Sequence, residues 1–226
     1  MPDFPVRYRI RGDDVHILEV MLPPGGAIKA ESGAMIYMDE GIEMDTPVEL
    51  NPWQRIVLKK TGESIYNPVF HNYSDRVAVI AFAAPVPGGI IPLDLRKHGG
   101  VVICQKGSYL CGTLDVKLDI ELTKDLKTAV FGKEGFIMQK LVGAGLGFIH
   151  GGGTIVERFL QDGETIRVDV ASVAAFSGTI AYTFEIVRGV INKLVGGEGL
   201  WLFRLTGPGM VFLQSTRFNI HGNGES

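Results

Sequence analysis

The sequence predicts an all-β fold, and three observations carry that reading. The first is alternation: residues 114–122 (LDVKLDIEL) set five apolar side chains against four charged ones with a period of two. Successive side chains of a strand point to opposite faces, so the pattern describes a half-buried strand and not a helix. The second is glycine, at 30 of 226 residues where an average chain has roughly 7%. These glycines follow no collagen-like period and read as punctuation between many short elements. The third is the scarcity of helical signals, which are confined to short stretches at residues 125–130 and 190–195.

Along the chain the same period recurs. Val15 and Ile17 begin one strand, Ile42 and Met44 alternate with Glu43 and Asp45 in another, and residues 154–160 form a further β pattern. Ile166, Val168 and Val170 repeat the alternation near the end. The acidic cluster Asp39, Glu40, Glu43 and Asp45 is thereby read as the solvated side of a strand and not as a calcium or acid–base site.

Composition narrows the function classes. The chain is 46% hydrophobic and 21% charged, which is globular and not disordered. Its net charge is −3 and its 22 Lys and Arg residues are scattered, with Lys59-Lys60 the longest basic cluster, so a nucleic-acid ligand is not expected. The longest apolar run, residues 77–86, is ten residues with a proline inside, half of the roughly 20 that span a bilayer as a helix. The first residues show no apolar signal core, and Cys104 and Cys111 form neither a CxxC pair nor a disulfide framework. A reduced, cytoplasmic protein is the expectation.

The chain also resembles itself. At a shift of 64, residues 134–150 (EGFIMQKLVGAGLGFIH) lie on residues 198–214 (EGLWLFRLTGPGMVFLQ) with six of seventeen pairs identical, where chance gives about one. A looser first copy aligns Gly33-Ala34-Met35 with Gly107-Ser108-Tyr109 and Gly88 with Gly209. Glu63 to Gly88 then spans 25 residues against 11 from Glu134 to Gly145, which predicts an insertion near residues 67–76. Three tandem β repeats follow, at residues 1–98, 99–162 and 163–226, joined as one structural unit because one such unit rarely buries its apolar face alone.

The repeat reinterprets the glycine-rich residues 143–153 (GAGLGFIHGGG). A dinucleotide fingerprint needs a third glycine where Phe148 stands and a helix after it, and here a β pattern follows. Gly143 and Gly145 recur as Gly207 and Gly209, so they are read as turn glycines, with Gly151–Gly153 a flexible bend. The five histidines show no HxH spacing, and no metal site or cofactor is expected. Ser32, Ser64, Ser108 and Ser172 lack a GxSxG setting, so no catalytic residue is assigned and a non-enzymatic protein is expected. One stretch breaks the repeat and concentrates aromatic residues: Tyr66, Phe70, His71 and Tyr73, read as a loop contacting a partner or small ligand.

The segments ESGAMIYMD (31–39), GES (62–64), PGGIIPLDL (87–95), VDVASVAAF (168–176) and GEGLWLFRLTGPGMVFLQS (197–215) together resemble the altered-inheritance-of-mitochondria protein family. The resemblance runs from about Tyr8 to Phe218, and the last segment is the most specific. It implies a TRAP-like β-sandwich, the short double-stranded β-helix of the tryptophan RNA-binding attenuation protein, three times per chain. It also implies homotrimers arranged as a ring of nine units. The functional expectation is a ring-like homotrimeric scaffold or interaction module. The alternative is a small-ligand-binding protein that uses inter-unit grooves, as the attenuation protein does.

Overall fold

The computed structural model describes residues 6–45, 67–121, 138–187 and 200–216. Those residues form strands, two short 3-10 turns and no α-helix. The all-β reading therefore holds, and the two helical stretches at residues 125–130 and 190–195 lie outside the described residues.

Two compact units are present. In the first, one sheet pairs β1 (Arg7–Arg11), β2 (Ile17–Leu22), β7 (Ala78–Ala83) and β4 (Met35–Met38) in the order β1-β2-β7-β4. A second sheet runs β5 (Ile42–Asp45), β6 (Val69–Asn72), β3 (Ala27–Ala30), β10 (Tyr109–Gly112), β13 (Leu146–Gly152) and β8 (Gly88–Asp94). Alternation decides which side chains fill its core. In β2, Leu18, Val20 and Leu22 are buried, while Ile17, Glu19 and Met21 face outward. Ile28, Phe70, Ile80, Phe82 and Phe148 complete that core, with Phe70 and Phe82 edge to face at 6.1 Å. Each large side chain so buried contributes on the order of 1.5–3 kcal/mol.

The second unit repeats the construction. One sheet runs β11 (Lys117–Glu121), β12 (Met138–Val142), β9 (Val101–Gln105), β16 (Val173–Ser177), β19 (Gly209–Gln214) and β14 (Ile155–Leu160). The other runs β15 (Thr165–Asp169), β18 (Leu200–Thr206) and β17 (Ala181–Val187). Met138, Phe176, Phe203, Leu205 and Val211 fill the core, and Phe184 packs on Phe203 at 4.5 Å.

Strand order exposes a regularity. Raising each number in β5-β6-β3-β10-β13-β8 by six yields β11-β12-β9-β16-β19-β14. Register follows suit: Val101 faces Val142 in β9–β12, and 64 positions on Thr165 faces Thr206 in β15–β18. A one-residue bulge falls at Ile36 in β4, Leu110 in β10 and Ala174 in β16, each against β7, β13 or β19. A matching turn follows each: Ile42 N–H donates to Asp39 O, Val116 to Thr113 O and Ile180 to Ser177 O.

Several boundaries differ from the sequence reading. The strand expected over residues 114–122 begins at Lys117, because Thr113 and Asp115 are drawn into the turn that Val116 closes on Thr113. Residues 67–76 are not an inserted loop throughout, since they contain β6, which pairs with both β3 and β5. Gly143 and Gly145 do form a turn, between β12 and β13, where a Cβ on Gly145 would lie 2.0 Å from Thr113 Oγ1. Gly151 and Gly152 are no flexible bend: they end β13, buried, and Gly152 N–H donates to Gln214 Oε1 at 3.0 Å. A Cβ on Gly152 would stand 2.5 Å from the backbone oxygen of Thr216, so close backbone approach is their reason.

Candidate functional site

Of the four aromatic-loop residues singled out in the sequence, Tyr66 lies outside the described residues. The other three are separated by the pleat of β6. Phe70 points into the core at 2% exposure, so it is not available to a partner. His71 faces the opposite side, across from Glu43, and its ring stacks on Tyr73 with centroids 5.8 Å apart. His71 Nε2 also sits 3.3 Å from Asp45 Oδ2. Asp45 is the largest influence raising the Tyr73 phenol above its usual pKa, with Glu43 adding to it. This is a polar patch at the surface in which each ring has a partner within the patch.

A different surface stands out once equivalent strands are compared. In β10 and β16 the bulge residue and its successor are covered: Leu110 is 1% exposed and Cys111, Ala174 and Ala175 are 0%. In β4 the corresponding Ile36 and Tyr37 are 48% and 44% exposed, and Met38 is 38%. The cause is topological. β10 pairs on its far side with β3, and β16 with β9, whereas no described strand lies beyond β4. β15, which holds the place of β3 and β9 in its own sheet, likewise ends that sheet, with no described strand on the side away from β18. Ile166 and Val168 on β15 are only partly buried, where Val102 and Cys104 on β9 are at 0%.

Tyr37 is held flat by polar partners. Its hydroxyl donates to Glu19 Oε1 at 3.0 Å, and Arg11 Nε donates to the same oxygen at 2.6 Å. The Arg11 hydrogen bond holds the Glu19 carboxyl below the ordinary range, and desolvation followed by Glu19 pushes the Tyr37 phenol up. The ring thus stays over the face of the sheet, and no described strand pairs with the outer edge of β4. Sequence reasoning missed this site. The signal was there in MIYM: four apolar residues in a row do not alternate, as expected of a strand covered on both faces.

Other chemistry is enclosed. His98 Nδ1 and Ser177 Oγ are 3.0 Å apart, but Ser177 is 2% exposed and its oxygen also accepts from Met210 N–H. Burial lowers the His98 pKa, opposed by Asp94. A serine closed off from solvent and spent on a backbone donor is a structural pin between β16 and β19, not a nucleophile poised for substrate. Cys104 and Cys111 are buried thiols outside any disulfide, and burial drives the Cys111 pKa well up. No group of three His, Cys, Asp or Glu side chains suited to a metal ion occurs among the described residues. No described helix is long and apolar enough to cross a membrane.

Known proteins were compared with this chain. An uncharacterised protein of Streptococcus pyogenes serotype M6 is 26% identical over 227 residues, covering 95% of this chain and 88% of the relative. The crystal structure of another Streptococcus pyogenes protein superposes with a TM-score of 0.72 at 23% identity, covering 94% of each chain, which is a likeness of fold. The family model described as mitochondrial biogenesis AIM24 matches residues 8–216, nearly the whole chain, and carries the five sequence segments noted above. The chain belongs to the mitochondrial biogenesis AIM24 family.

Proposed function

We propose that this chain is a non-enzymatic scaffold that assembles with itself, its copies joined head to tail into a ring. We read the six-strand offset as three copies of one unit, β2–β7, β8–β13 and β14–β19, with β1 an added edge strand. In that reading the middle unit is joined on both sides within the chain, and the outer two each keep one unjoined edge. The observation that carries the proposal is the burial difference at those edges: 38–48% exposure for three consecutive apolar residues of β4, against 0–1% at the bulge and following residues of β10 and β16. An exposed apolar edge strand is a template for pairing, and natural proteins normally blunt it with charge, proline or a cover. MIYM holds no charge or proline, and no described strand covers its outer edge.

The two edges differ, so copies meet through unlike surfaces, and such contacts either close into rings or run on as filaments. Closure at three copies is what the family resemblance implies. A ring of this kind presents every outward face three times, and multivalent display strengthens weak binding without new contacts. A cytoplasmic setting is part of the proposal and suits two buried cysteines that form no disulfide.

Native mass spectrometry of the full chain tests this directly. Three copies without a bound small molecule is the expected result. A single copy at micromolar concentration overturns the scaffold, and a stoichiometric small-molecule adduct on the assembly would favour the ligand-binding alternative.

A further inference from the structure

We infer that the joint between copies is one antiparallel β-ladder in which β4 of one copy lies beside β15 of the next, with Tyr37 opposite Val168. The inference rests on the self-assembly reading and adds to it a surface, an orientation and a register.

The register is read from the two joints that the chain makes within itself. Where β10 meets β3, Cys111 faces Ala30 and Gly112 faces Lys29. Where β16 meets β9, Ala175 faces Cys104, Phe176 faces Ile103 and Ser177 faces Val102. In each case the first residue after the bulge anchors the pairing. The bulge in β4 falls between Met35 and Tyr37, which places Tyr37 with Cys111 and Ala175. On the other side, Ala30, Cys104 and Val168 hold one position. Cys104 faces Gln139 and Val168 faces Phe203, each 64 residues on. Tyr37 then meets Val168, Met38 meets Arg167, and the residue after the strand, Asp39, meets Ile166.

Side-chain chemistry at the predicted joint agrees with that at an internal one. At the β3–β10 joint, Lys29 reaches across and its Nζ donates to Val116 O. Arg167 occupies the matching place on β15, and Ile42, which closes the same turn as Val116, the matching place after β4. A cation therefore stands at the β3–β10 joint and at the predicted one, whereas Ile103 holds that place at the β9–β16 joint. Exposed Glu40 and Glu43 flank Ile42 and add negative charge on the side that would receive Arg167. Within the single chain, Arg167 bonds Glu185 at 3.1 Å with 65% of its side chain exposed, a pairing that leaves it able to reach outward. Because strand faces alternate, a slip of one residue would turn Tyr37 and Val168 to opposite sides, so the register is strongly constrained.

Disulfide trapping reads this out. Directly opposed residues of an antiparallel ladder have Cα atoms about 4.5–5.5 Å apart, within the range that a disulfide spans. Full-length Tyr37→Cys and Val168→Cys proteins are mixed, oxidised and resolved on a non-reducing gel and by intact mass. A covalent pair of chains in the mixture, absent from either variant alone and abolished by reductant, is expected. The pairing Tyr37→Cys with Arg167→Cys should give at most a tenth of that yield. Asp39→Cys with Ile166→Cys is a second site on the same register, should the first substitution prevent assembly under reducing conditions. An intact oligomer that cross-links instead at the one-residue offset overturns the register and leaves the scaffold reading standing. An oligomer that cross-links at none of these pairs places the joint elsewhere on the chain and overturns the inference alone. A wild-type protein that is monomeric by native mass overturns both.

Discussion

At the scale of single residues, Asn72 is a buried polar group whose side chain is fully employed. Asn72 is at 0% exposure, and its amide donates to Leu22 O at 2.9 Å and Arg76 O at 2.8 Å. Its carbonyl oxygen accepts from Ser74 N–H at 3.0 Å and Ser74 Oγ at 2.6 Å. One side chain thus closes the whole turn between β6 and β7. Replacing Asn72 by alanine strands those partners, and a loss of about 2–3 kcal/mol is expected, read as a lower denaturation midpoint with an unchanged slope. A loss under about 0.5 kcal/mol would mean that water or a rearranged turn satisfies the same groups. Nothing in the sequence marked Asn72, because an asparagine after three strand residues reads as an ordinary turn former.

At the scale of elements, pleat and turn chemistry were legible where the pattern was clean. The alternation of residues 166–170 became β15 with only its last residue, Val170, passing into a 3-10 turn capped by Asp169. β6 was hidden, since its four residues VFHN hold one large apolar side chain facing the core and the aromatic run suggested a surface loop. Its strand character comes from neighbours on both sides, which no local pattern reveals. Glycines gave a similar mixture. Gly207 was legible as a turn residue from its recurrence 64 positions after Gly143, but not the reason that glycine is required there. A Cβ at Gly207 would meet Gln161 O at 2.3 Å and Leu160 O at 2.6 Å, both backbone atoms that cannot swing aside. Gly207→Ala should therefore cost about 1–3 kcal/mol through backbone displacement. A thermal melt that matches wild type would show that this turn can relax.

At the scale of the whole molecule, an assembly held by open edges makes stability depend on concentration. If copies stabilise one another, the unfolding temperature should climb as protein concentration rises, because anything that binds only the folded state stabilises it by mass action. Thermal melts over a hundredfold dilution check this. A constant unfolding temperature would indicate that each chain is stable alone and that the edges contribute little. A charge placed in the middle of the open edge, as in Ile36→Lys, should remove the concentration dependence while leaving the strand content unchanged, because edge lysines are a common device against pairing.

The amino-acid sequence by itself determined the class of fold, the family and the approximate places of most strands. Period-two alternation and glycine punctuation are local properties, and they survive in any chain that forms half-buried strands. Only the tertiary structure decided which edges are joined and which end a sheet among the described residues. Ile36, Tyr37 and Met38 look as apolar as Leu110 and Cys111 on paper, and differ in exposure because β3 lies on the far side of β10 while no described strand lies beyond β4. Strand pairing joins residues far apart in the chain, as Cys104 and Ala175 are, so the pattern within any short window cannot carry it. That is why the alternating faces could be read from the residues, and the surface proposed to build the assembly could not.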